Sequence, residues 1–173
     1  HATIKSINLT AAKAHPGVIG IFIGEDVTKD NINGLPCGWL INNPDGTPMK
    51  EPAHPILAQG KVRYVGDHVA MVVAETVQQA RDAAELVEVK YDVLEPVINL
   101  LKAKNGPAIH DIAQDNQCYK WKLGDESAVD VAFKNAAHIT KLDLVNNRLI
   151  PNAMETRAVI GSYSRASDEY VLY

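Results

Sequence analysis

The chain has no long apolar run. Its longest, "VAMVVA" at residues 69–74, has six residues, against the ~20 that span a bilayer. The opening "HATIKSINLT" has no Met, no basic stretch and no apolar core, so it carries none of the parts of a secretory signal. A first residue, His1, that already sits in a strand-like run is expected of a piece of a longer protein. Basic runs are also missing: 17 Lys and Arg stand against 21 Asp and Glu, a formal net charge of −4. Nothing here favours nucleic acid or an anionic membrane surface. Cysteine is scarce. Cys37 and Cys118 lie 81 positions apart, which fits a reducing, cytoplasmic setting better than a disulfide scaffold.

The spacings that bind metals and phosphates are missing too. The six histidines (His1, His15, His54, His68, His110, His138) show neither His-x3-His nor His-Glu-x-x-His, and neither cysteine has a Cys-x-x-Cys partner. Eleven glycines include no adjacent pair and no phosphate-loop pattern. Gly17 and Gly20 precede a strand, where a phosphate cradle precedes a helix. No catalytic, cofactor-binding or metal-ligating residue is expected in this stretch.

What remains is the composition of a folded domain, 46% hydrophobic and 22% charged in 173 residues. Its clearest unit is "VAMVVAETVQQARDAAELVEVKYDVL", residues 69–94. The valine-rich start predicts a strand buried on both faces. Thr76 with Gln79 three residues later has the form of a capping box. Val77, Ala80, Ala83, Ala84 and Val87 then share one helical face, and from Val87 to Tyr91 the period drops to two. A weaker version opens the chain: a strand over 2–9, a short helix after Thr10 that must stop by His15 because Pro16 follows, and a buried strand over 17–24.

Between them, residues 31–60 hold five of the nine prolines and read as a long ordered surface loop. Val65 to His68 form a tight turn. Residues 94–127 lack a sustained period and mark a boundary. Beyond it "ESAVDVAFKNAA" predicts a helix, "HITKLDLVNNRLI" a strand, and "RAVIGSY" and "EYVLY" two more strands. These last strands leave an open edge, which predicts aggregation or homodimer formation through it. The fold class is α+β, a mixed α/β chain.

Three clusters invite a chemical reading. Asp67 beside His68 could be a carboxylate–imidazole relay, but neighbours on a strand point to opposite faces, and a turn with Asp as the tolerant residue is favoured. Ser162, Ser164 and Ser167 sit in no nucleophile elbow. In "NNRLIPNAMETRAV", Glu155 could act as a base and Arg148 or Arg157 as an anion clamp. The competing reading makes Pro151 and Asn152 a turn and pairs Glu155 with Arg157 on one face of the next strand. The spacing favours the turn.

Several stretches together resemble the large, molybdenum-binding subunit of the molybdenum hydroxylases, the xanthine dehydrogenase and aldehyde oxidase family, and within it the branch like aerobic carbon monoxide dehydrogenase. The stretches are "HATIKSINLTAAKAHPGVIGIFIGEDV", "VRYVGDHVAMVVAETVQQARDAAELVEVKYDVLEPV", "GDESAVDVAFKNAAH" and "NNRLIPNAMETRAVIGSY". Two positions depart from the family pattern: His68 and Thr156 each stand where Pro is usual, changing local turn stiffness. The resemblance implies an α/β hammerhead domain over 1–97, a linker over 98–126, and the start of a molybdopterin-binding domain over 127–173.

It also implies partners. These are the rest of the molybdenum-binding subunit and iron–sulfur and flavin subunits, with a molybdopterin (cytosine dinucleotide) molybdenum cofactor, [2Fe-2S] clusters and FAD in the whole enzyme and none of them on this stretch. Met154 to Arg157 would form a corner, with Glu155 in a buried or half-buried ion pair with Arg157 or Arg148. The rival expectation is a cofactor-free interaction or scaffold module. A reading frame that continues past Tyr173 into a Gln-Pro-His segment discriminates the two.

Overall fold

The computed structural model describes residues 1–147, 149 and 152–173. In chain order the elements are β1 (Ala2–Asn8), α1 (Thr10–Lys13), β2 (Val18–Ile23), α2 (Gly24–Lys29), β3 (Lys61–Val62), β4 (Ala70–Ala74), α3 (Val77–Glu85), β5 (Glu88–Val93), a 3-10 helix (Leu100–Asn105), α4 (Glu126–Asn135), β6 (Gly161–Ser164) and β7 (Glu169–Leu172). They fall into two compact units, residues 1–124 and residues 125–173. Every strand pair is antiparallel, so the mixed composition resolves as α+β.

In the first unit β1 is the centre of a three-stranded sheet in the order β3-β1-β5, and β2 pairs with β4 in a second sheet. The β1–β5 register joins Ala2 to Val93 and Ile7 to Val89, with an irregularity between Ile4 and Ser6. Lys5 reaches Asp92 at 2.9 Å, and Asn8 Nδ2 donates to Glu88 Oε2 at 2.9 Å. In the other sheet Ile21 faces Val72 and Phe22 faces Met71. Helices α1 and α3 lie against this pair and against each other. Ala12 and Ala83 are both fully buried: small side chains let two short helices approach closely and fill the space with no rotamer cost.

The α3 cap forms as the sequence reads. Thr76 Oγ1 accepts from Gln79 N–H at 3.2 Å and Gln79 Oε1 accepts from Thr76 N–H at 3.0 Å, a reciprocal pair of about 1 kcal/mol. At α1 the N-cap is Leu9, with no side-chain cap, not Thr10; just before it Asn8 Oδ1 accepts from Thr10 N–H at 3.1 Å. Helix α2 had no counterpart in the sequence reading. Asp26 Oδ2 accepts from Ile23 N–H and Val27 is buried, so one carboxylate and one apolar contact hold six residues helical. Gly24 opens it because a Cβ there would lie 2.3 Å from the Ala58 carbonyl oxygen, leaving no room for any other residue as the loop returns.

Two expectations about faces are corrected. Strands β2 and β4 are not buried on both sides: Ile21 is 7% exposed, while Phe22 is 41% and Met71 51% exposed. Only one face has helices against it. Of the expected stripe, Ala80 and Ala83 on α3 and Val87 just beyond it are covered; Val77 and Ala84 are exposed, because α1 is too short to cover the whole stripe.

Residues 31–60 hold no strand or helix, only an isolated bridge between Asn42 and Pro48. The stretch expected as a linker runs along this loop. Lys50 N–H donates to Cys118 O at 2.8 Å, Lys50 Nζ meets Asp115 at 3.1 Å, and Lys120 N–H donates to Asn43 Oδ1 at 2.7 Å. Asn116, at φ 54°, ties the same stretch internally: it bonds Ile109 N–H and donates to Ala103 O and Pro107 O. Through residue 124 the chain therefore groups with the first unit.

In the second unit Asp125 caps α4 through Ala128 N–H at 3.0 Å. The hairpin β6–β7 pairs Tyr163 with Tyr170, whose rings stack at 4.6 Å. The strand expected over 138–150 is not formed at residues 138–147 or 149. Leu142 and Leu144 are 76% and 80% exposed, and a strand without cross-strand neighbours or a surface to cover has nothing to stabilise it.

Candidate functional site

The segment "NNRLIPNAMETRAV" was the strongest chemical candidate in the sequence. Arg148 and Pro151 lie outside the described residues. Asn152 has φ 49°, and the chain bends at Met154 and Glu155 before the hairpin starts at Gly161. Glu155 and Arg157 are exposed, stand on no strand, and form no ion pair with each other among the described residues. The Glu155–Arg157 form of the expected pair is thus corrected, since an exposed pair gains too little in water to order two long side chains; the Glu155–Arg148 form lies outside the described residues. Thr156 lies in the same exposed stretch.

Asp67 and His68 serve as turn and edge. Asp67 Oδ2 accepts from Arg63 N–H at 2.9 Å, and His68 O accepts from Ala58 N–H at 2.6 Å. Among the described residues no relay links the two side chains. The serines bond locally: Ser167 Oγ donates to Ser164 Oγ at 2.8 Å inside the hairpin turn.

Two of the recesses in the first unit hold the groups of chemical interest. The larger, about 510 Å³, is an open apolar groove. Its floor combines Phe22 and Met71 from the outward face of β2 and β4 with Val27 of α2 and Leu57 of the returning loop, and Asp26, Asp30 and His68 stand at its rim. The period of two on both strands places the outward pair, and Gly24 lets the loop close down beside them. The sequence reading missed this groove because it took both strands as buried. The alternation of Phe22 and Met71 with Ile21 and Val72 was the available signal.

The smaller recess, about 300 Å³, lies between residues 52–55 and the 63–67 turn, with His110 against it. Arg63 Nε donates to Ile109 O at 3.2 Å. Burial first, and then the positive charges of Arg63 and Lys61, hold the His110 imidazole below its usual pKa against the opposing pull of Asp111 and Asp67. The ring is therefore kept neutral near pH 7.

The molybdopterin that the resemblance implies finds no fit in these residues. Among the described residues no three His, Cys, Asp or Glu side chains gather as a metal site. The groove presents apolar walls and two carboxylates, which repel a cofactor's phosphates. What this surface offers is an exposed apolar contact area.

With this geometry in view, comparison with known proteins is specific. The family described as aldehyde oxidase and xanthine dehydrogenase, a/b hammerhead domain, matches residues 1–95. The chain belongs to that family, whose members are oxidoreductases.

Among its relatives, the carbon monoxide dehydrogenase large chain of Afipia carboxidovorans is 28% identical over 100% of this chain and 22% of its own. The nicotine 6-hydroxylase large subunit of Paenarthrobacter nicotinovorans is 31% identical over 100% and 20%. The solved carbon monoxide dehydrogenase of Oligotropha carboxidovorans superposes with a TM-score of 0.81 at 28% identity, over 99% of this chain and 22% of that one. The chain thus spans about a fifth of the length of the relatives it matches. Among the described residues, no helix is long and apolar enough to cross a membrane.

Proposed function

We propose that this chain is the N-terminal framework of the large subunit of a molybdenum hydroxylase. The complete enzyme would oxidise a small substrate (carbon monoxide, an aldehyde or an N-heterocycle) with oxygen drawn from water. Electrons would leave through [2Fe-2S] clusters to FAD on partner subunits or domains. Two free thiols accord with a cytoplasmic setting. In this reading the hammerhead domain covers 1–97, and residues 127–173 begin the molybdopterin-binding domain. The catalytic groups lie on other parts of the polypeptide.

The supporting observation is the end-to-end likeness to a fifth of several large subunits, alongside an open groove with mainly apolar walls on the first unit. Residues 31–60 are the docking segment, since Leu35, Trp39 and Leu40 are 57%, 80% and 65% exposed in a loop anchored at both ends.

The test is to produce the full-length protein with its partner subunits, and separately the 173-residue chain. Molybdenum content and dye reduction with each substrate class are then measured on both. Metal and turnover are expected in the complex alone. Stoichiometric molybdenum or turnover in the 173-residue chain would overturn the reading.

A further inference from the structure

The chain contains two Asn-Gly pairs, Asn33–Gly34 and Asn105–Gly106. In this dipeptide the backbone nitrogen after asparagine reaches the side-chain carboxamide most easily, because glycine places no Cβ in the path and turns freely. The fold treats the two pairs differently. Asn33 is exposed in the long irregular loop. Its flanks are fixed, with Ile32 N–H donating to Val27 O at 3.1 Å and Leu35 N–H to His54 O at 2.8 Å. Among the described residues nothing accepts from Gly34 N–H and nothing holds the Asn33 carboxamide. Asn105, also exposed, ends the 3-10 helix, and there Gly106 N–H donates to Ala103 O at 3.2 Å.

We propose that Asn33 is a site of spontaneous backbone-directed deamidation, and that the fold protects Asn105 from the same reaction. Gly34 N loses its proton to hydroxide and attacks Asn33 Cγ. The N–Cγ bond forms, the Cγ–Nδ2 bond breaks, and the side-chain nitrogen leaves as ammonia after taking a proton from water. Water then opens the five-membered imide at either carbonyl, leaving aspartate or isoaspartate. Each carries a new negative charge, and no oxidant or reductant is consumed. At Asn105 the attacking nitrogen must first give up its bond to Ala103 O and leave the helical turn.

The site makes the product consequential. A Cβ on Gly34 would lie 2.3 Å from the His54 carbonyl oxygen, and the next residue donates to that same oxygen. An isoaspartyl linkage adds one methylene to the main chain immediately before this clamp. It loosens the point where the proline-rich loop is fastened to its own returning half.

The experiment incubates the full-length protein at mildly alkaline pH and follows both sites by peptide mapping with mass spectrometry, in buffer and in urea. In the folded protein Asn33 is expected to convert about tenfold faster than Asn105, the factor one net hydrogen bond supplies. In urea the two rates converge. The early acidic band on isoelectric focusing is absent from Asn33→Gln, which cannot form the five-membered ring. Equal rates in the folded protein, faster conversion at Asn105, or no conversion at Asn33 while the urea sample reacts would each overturn the proposal.

Discussion

Residues 1–124 and residues 125–173 are assembled from similar parts: short strands, a capped helix of nine or ten residues, antiparallel pairing. Their burial is opposite. Ala2, Ala12, Ile21, Val27, Leu57, Ala58, Ala83 and Ala113 are all buried and all lie in the first unit. In the second, Val129, Val131 and Phe133 of α4 and Leu142 and Leu144 beyond it are half or more exposed. Caps and turns form in both, so local chemistry does not explain the contrast. Long-range closure does: β1 meets β5 across some eighty residues of sequence, and the 98–124 stretch is bonded to the 31–60 loop. Among the described residues, β6 and β7 pair with each other and with no further strand.

The sharpest way to break this comparison is to separate the units. Residues 1–124 should unfold in one cooperative transition by circular dichroism. Residues 125–173 should show none, since an isolated hairpin and a ten-residue helix are each marginal in water. A cooperative transition in the shorter piece would refute the contrast.

Next in size is a matched pair of truncations in the whole chain. Leu57→Ala removes a side chain only 6% exposed and should cost about 2–5 kcal/mol. Leu142→Ala, at a position 76% exposed, should stay within about 0.5 kcal/mol. Urea midpoints read both.

The smallest effect is pH-linked. His110 is held below its usual pKa chiefly by burial, so the unfolded chain binds the proton first as pH falls. Stability is then full above the ordinary imidazole range. It declines as pH drops through that range towards the lower folded-state value. His110→Gln should flatten this part of the profile; an unchanged slope would remove His110 from the account.

Some of these features were legible in the residues. The Thr76–Gln79 capping box and the hairpin at the end of the chain depend on contacts within a few residues and form as the pattern reads; the strand after Val87 also forms, but through its pairing with β1. The burial of β2, expected as a buried strand, and of β4, expected buried on both faces, was misread because a run of valines and isoleucines shows that a strand is apolar and not how many faces find cover. Helix α2 escaped because its six residues hold one buried side chain, too few for a period. The groove escaped with it, since its walls come from β2, β4, α2 and residue 57. The Glu155–Arg157 pair failed for a related reason: i, i+2 spacing aligns side chains only if a strand exists.

Sequence alone determined the cap that starts α3, the turn between the last two strands, the family likeness, and the lack of metal-ligand spacings, because each of these is written in neighbouring residues. Tertiary structure decided which apolar faces are covered, that residues 98–124 belong with the first unit, and which of two identical Asn-Gly pairs has an unbonded glycine N–H. Those outcomes depend on hydrogen bonds and contacts between residues far apart in the chain, and neither composition nor period encodes which distant partners will meet.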